Sequence, residues 1–98
     1  MINFSVKEVR EWIKQIIIFK RRTPEILTSA LLDWILEQLP FEKGVIQYPS
    51  ETDLIEALLP LVEAGAAWQQ SMWDQLSPSD RQIVTDPVLL AEMEAFFA

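Results

Sequence analysis

From residue 24 to residue 39 the chain reads PEILTSALLDWILEQL. Glu25, Ser29, Asp33 and Glu37 recur every four residues, which on a helix makes one narrow polar stripe. The rest of this stretch is almost wholly apolar. The pattern predicts a helix that is apolar over most of its circumference, and such a helix must be buried on several sides. The neighbouring segments are expected to wrap around it, giving an all-α, compact single-domain bundle of four to five helices over residues 1–98.

The segment before it alternates differently. Ser5 and Glu8 have the form of a capping box, so the first helix is expected to start there. Val6, Val9, Trp12, Ile13, Ile16, Ile17 and Phe19 then fall on one face, and Lys7, Arg10, Lys14 and Arg21 on the opposite one. Ile18 projects from the basic face and is expected to be exposed. Lys20, Arg21 and Arg22 occupy the last turn, where cations suit the negative end of the helix dipole. Thr23 then fits an N-cap and Pro24 the first position of the next helix, whose N–H has no intrahelical partner in any case. Pro40 closes that second helix, because the residue before a proline is driven from the α region.

Residues 40–50, PFEKGVIQYPS, read as the longest non-helical segment, a loop pinned by Phe41, Ile46 and Tyr48. If Val45 to Tyr48 were to pair as a strand, the expected partner is another chain or another copy of this one. A third helix begins at Ser50, with Asp53 as its capping partner, and keeps helical spacing to Leu76. Pro60 interrupts the pattern, at a cost of about 3 kcal/mol in a regular helix, so a kink or break is expected near residues 58–59. Ala64, Gly65, Ala66 and Ala67 make a small-residue patch that lets another helix approach closely. Ser77-Pro78-Ser79-Asp80 and Asp86-Pro87 are helix starts. The second leads to a last helix with Val88, Leu89, Leu90, Met93, Phe96 and Phe97 mostly on one side.

Composition removes whole classes of chemistry. The 98 residues include no cysteine and no histidine. That excludes thiol nucleophiles, disulfides and Cys-based metal sites, and it removes the commonest general base and metal ligand. With only two glycines, phosphate-cradling loops are disfavoured. No apolar run approaches the roughly 20 residues of a membrane span, and the N-terminal stretch does not read as a signal peptide. A soluble cytoplasmic protein is the expectation.

The net charge of −7 is unevenly placed. Residues 1–22 hold six bases against two acids, whereas residues 23–98 hold two bases against thirteen acids. The basic face of the first helix therefore suits an acidic protein, unless it merely neutralises its own fold. Nucleic acid is disfavoured, since most of the chain repels phosphate. A membrane surface requires the apolar face of the first helix, which the core also needs.

Carboxylates are the only plentiful catalytic groups, as at Glu25, Asp33, Glu37, Glu92 and Glu94. Such spacing is also ordinary helix surface, and no enzyme activity, metal or cofactor is expected. Trp12, Trp34 and Trp68 fall on core faces by spacing. Trp73 beside Met72 lies off the main stripe and, with Phe96 or Phe97, offers the residue types that anchor interfaces. The ordinary alternative is that these residues are core beneath the terminal helices. The sequence thus points to a non-enzymatic interaction module, an adaptor, regulator or assembly chaperone. Its candidate partner-binding residues are Ile18, Met72, Trp73, Phe96 and Phe97, with Lys7, Arg10, Lys14 and Arg21 as a charged rim. The competing uses are self-association as a homodimer, a membrane-peripheral role for residues 5–22, and antitoxin-like neutralisation of a basic partner.

Overall fold

A computed structural model describes residues 1–20 and 23–98. Along the chain run β1 (Ile2–Ser5), α1 (Val6–Lys20), α2 (Glu25–Gln38), β2 (Val45–Tyr48), α3 (Glu51–Gln75), α4 (Pro78–Arg81) and α5 (Pro87–Phe97). The fold is thus a predominantly helical bundle with one small β-ribbon. Its extents of 49 × 24 × 19 Å follow α3, whose 25 residues span roughly 37 Å at about 1.5 Å per residue.

Capping chemistry sets most helix starts as the sequence predicts. Ser5 Oγ accepts from the Glu8 N–H at 3.1 Å, and Glu8 Oε1 accepts from the Ser5 N–H at 3.4 Å. Ser50 Oγ accepts from Asp53 N–H, Ser77 forms a full capping box with Asp80, and Asp86 Oδ1 accepts from Val88 and Leu89. The start of α2 differs. Pro24, not Thr23, occupies the N-cap position, and among the described residues no side chain caps it. Thr28 Oγ1 instead donates back to the carbonyls of Thr23 and Pro24 at 3.3 and 3.2 Å.

α1, α2 and α3 pack on one another around Val9, Ile13, Ile17, Leu31, Ile35, Leu54, Leu58 and Val62. α2 packs on both α1 and α3. Its polar stripe is exposed as expected, but Ile26 and Ala30 are exposed too. Only Thr28, Leu31, Leu32 and Ile35 of α2 are buried. Against Leu31 and Trp34 of α2 lies the small-residue patch of α3. A Cβ placed on Gly65 would collide with Leu31 Cδ1 and come within 3.0 Å of Trp34 Cε3. Removing the side chain at 65 is what lets α2 and α3 close up at this level.

Within residues 40–50, Val45–Tyr48 forms a strand, and its partner is not another chain. β2 pairs antiparallel with β1, with Ile2 opposite Tyr48, Asn3 opposite Gln47, Phe4 opposite Ile46 and Ser5 opposite Val45. The period-two alternation of both strands puts Phe4 and Ile46 together in the core. On the outer face Gln47 Nε2 donates to Asn3 Oδ1 at 2.7 Å. A two-residue turn leads into β2, with Lys43 at φ 53° and Gly44 at φ 75°. Positive φ at both central positions suits hairpin twist and explains the glycine.

Pro60 does not break α3, which is helical without interruption from Glu51 to Gln75. The proline lies on the exposed side, while Leu54 and Leu58 before it and Val62 and Ala66 after it are buried. Each such burial contributes about 1.5–3 kcal/mol for a large aliphatic side chain, together outweighing the lost hydrogen bond. Phe19 is a further correction. It does not join the buried face of α1 but stands 93% exposed.

Candidate functional site

Beyond Val62 the three-helix core runs out, and α3 continues. Its last turns are covered by α4 and α5 through a second, smaller cluster. Trp73 is only 6% exposed and stacks on Phe97, with ring centroids 5.1 Å apart and planes at 21°. Phe96 meets Phe97 edge-on at 5.0 Å. Arg81 lies over the Trp73 ring at 4.3 Å and donates to the Trp73 carbonyl. Gln70 Nε2 donates to the Phe97 carbonyl at 3.2 Å, fastening the end of α5 to α3.

This cluster decides between the two sequence readings of the aromatics. Trp73 is buried beneath α5, and Phe97 is the buried residue of α5 that covers it, so neither presents an exposed anchor. Met72, the next residue round the helix, is 48% exposed. Trp68, four residues earlier, is 38% exposed although its spacing assigns it to the core. One face of Trp68 stacks on Trp34, with centroids 5.7 Å apart. Together these residues open a cleft of about 190 Å³ between α2, α3 and α5. Leu27 and Ala30 form one wall, Trp68, Met72 and Leu76 another, and Met93 with Phe97 the third. Buried Gln69 ties the first two walls by donating to the Leu27 carbonyl at 2.8 Å.

Among the described residues no ionisable side chain lines the cleft. Its surface offers dispersion and hydrophobic contact, not proton transfer or metal binding. Sequence reasoning missed Trp68, Leu27, Ala30, Leu76 and Met93 as members of this surface. The i, i+4, i+8 stripe of Trp68, Met72 and Leu76 is visible in the sequence. What is not visible is that α2 and α5 border this stripe without covering it.

The basic face of α1 is separate from the cleft. Arg10 Nη1 pairs with Asp33 Oδ1 of α2 at 3.1 Å, so one of its charges is spent within the fold. Lys7 and Lys14 are exposed, as is Ile18 at 56%. Arg21 lies outside the described residues. Among the described residues no three acidic side chains converge as metal ligands would, and no helix is long and apolar enough to cross a membrane. Comparison with protein-family models, with curated proteins and with solved structures finds no match.

Proposed function

We propose that the protein is a non-enzymatic interaction module that receives an apolar helical segment of a partner protein in the cleft between α2, α3 and α5. The observation that supports this is the cleft's lining, aromatic and thioether-rich, open to solvent and, among the described residues, free of ionisable groups. Methionine and tryptophan are the side chains best suited to adaptable apolar recognition. A helix laid into such a groove is a recurrent mode of binding.

Charge narrows the partner. Residues 23–98 carry thirteen acids against two bases, and one of those bases, Arg81, is engaged with Trp73. The preferred occupant is therefore an amphipathic helix with an apolar face and basic flanks. Adaptor, regulator and assembly chaperone are the roles this fits, in a cytoplasmic setting consistent with a chain lacking cysteine. A lipid surface is the weaker reading, because Val9, Ile13, Ile16 and Ile17 of α1 are already used in the core.

The test compares capture of partners from native lysate by the wild type, Met72→Glu and Trp68→Ala, with far-UV circular dichroism as the fold control. A stoichiometric protein retained at high salt by the wild type and lost by both variants supports the proposal. Equal recovery by all three, or no capture by the wild type, overturns it.

A further inference from the structure

α5 is apolar along most of its 11 residues, yet only Phe97 is buried. Val88 is exposed, and Leu89, Leu90 and Met93 are half-buried. Among the described residues, the ring contact and the hydrogen bond that join α5 to α3 both come from Phe97. Its ring stacks on Trp73, and its carbonyl accepts from Gln70 Nε2. The tether from residue 82 to 86 is non-helical and, apart from Val84, exposed. An element fastened at one end by so little buried surface opens at a lower free energy than the core.

Charge weakens the closed arrangement further. Neither α3 nor α5 contains a lysine or arginine, whereas Glu63 and Asp74 lie on the second half of α3 and Glu92 and Glu94 on α5. Closure therefore lays one acidic helix on another. Size points the same way. The cleft of about 190 Å³ takes a side chain or two, but a helix with its side chains is roughly 10–12 Å across.

We propose that α5 is a displaceable lid, which swings out on the 82–86 tether and surrenders its place on α3 to the partner helix. This rests on the cleft being the partner's site. Release of Phe97 bares Trp73 and joins it to Trp68, Met72 and Leu76 as one apolar face of α3. An incoming helix with basic flanks fills that face and meets the carboxylates that α5 cannot neutralise. Closure is thus autoinhibitory, and the partner's affinity is reduced by the fraction of molecules that are closed.

Two measurements on the full chain test this. By native-state hydrogen exchange, the α5 amides are expected to exchange at least about a hundredfold faster than those of α3 between Leu54 and Gln69, which stay protected. Exchange of α5 only together with α3 overturns the lid, whatever binds the cleft. The second measurement is titration with a synthetic leucine–lysine amphipathic helix as the probe. Phe97→Ala is expected to bind it at least about fivefold more tightly than wild type. Gln70→Ala, which loosens the same latch without emptying an aromatic site, is expected to shift affinity in the same direction. If α5 is instead a fixed wall, both variants bind equally or more weakly, because Phe97 lines the cleft. That result overturns the lid and leaves the cleft as a binding site. Failure of the probe to bind any of the three proteins, with α5 exchanging fast, overturns the cleft as a helix site and the lid's role with it.

Discussion

Arg81 lies with its guanidinium carbon 4.3 Å from the centroid of the Trp73 ring, and its Nη2 donates to the Trp73 carbonyl oxygen at 3.0 Å. α3 has no basic residue in its last turn. Arg81 supplies the missing cation from the next helix, satisfying a carbonyl at the negative end of the dipole while covering the indole. The capping box of Ser77 and Asp80 sets α4 so that Arg81 can reach back.

Arg81→Ala is therefore expected to cost about 1–2 kcal/mol, combining a partly buried cation–π contact with one hydrogen bond. Arg81→Lys should recover only part, since an ammonium cannot stack as a plane. Urea unfolding followed by tryptophan fluorescence measures both. An alanine variant as stable as the wild type would show that the contact contributes nothing.

Gly65→Ala distinguishes helix propensity from packing. In an open helix the change stabilises by roughly 1 kcal/mol. Here the new methyl meets Leu31 and Trp34, so a net loss of about 1–3 kcal/mol is expected from overpacking. The sign of the change in denaturation midpoint is the readout, and a gain would refute the close approach of α2 and α3.

Phe4 is buried opposite Ile46 at the centre of the ribbon. Phe4→Ala is expected to cost about 3–5 kcal/mol, the range for emptying a buried phenylalanine site. Ile18→Ala, on the exposed face, should stay within about 0.5 kcal/mol of wild type. Equal stability of these two variants would mean that the N-terminal strand does not dock.

The Arg10–Asp33 pair joins two side chains that are 44% and 67% exposed. Asp33→Asn is expected to lower stability by no more than about 1 kcal/mol. Molar salt should remove most of that difference, because exposed pairs are screened. A larger, salt-insensitive loss in parallel unfolding curves would assign Asp33 a structural role beyond this pair.

Local chemistry was legible in the sequence wherever one short segment holds all the participants. The boxes at Ser5–Glu8 and Ser77–Asp80 each close within four residues, and the stripe from Glu25 to Glu37 needs only helical periodicity. The ribbon was not legible in this way. Phe4 and Ile46 are each unremarkable within a four-residue strand, and only their pairing across forty-two positions makes either segment regular. The same limit hid the cleft. By pattern Trp68 has the better claim to burial and Trp73 lies off the stripe, yet α5 and Arg81 cover Trp73 while Trp68 keeps one face on Trp34 and stays partly open.

The sequence by itself determined the helical class, most of the helix starts, the exclusion of thiol and imidazole chemistry, and the division between a basic first helix and an acidic remainder. These follow from residue type and spacing, which act locally. The tertiary structure decided which apolar residues are spare. Burial depends on where a neighbouring element begins and ends, so Phe19, Trp68 and Met72 reached the surface while Trp73 and Phe97 did not. It also decided that Pro60 sits within a continuous helix, because core packing on both sides outweighs one missing hydrogen bond.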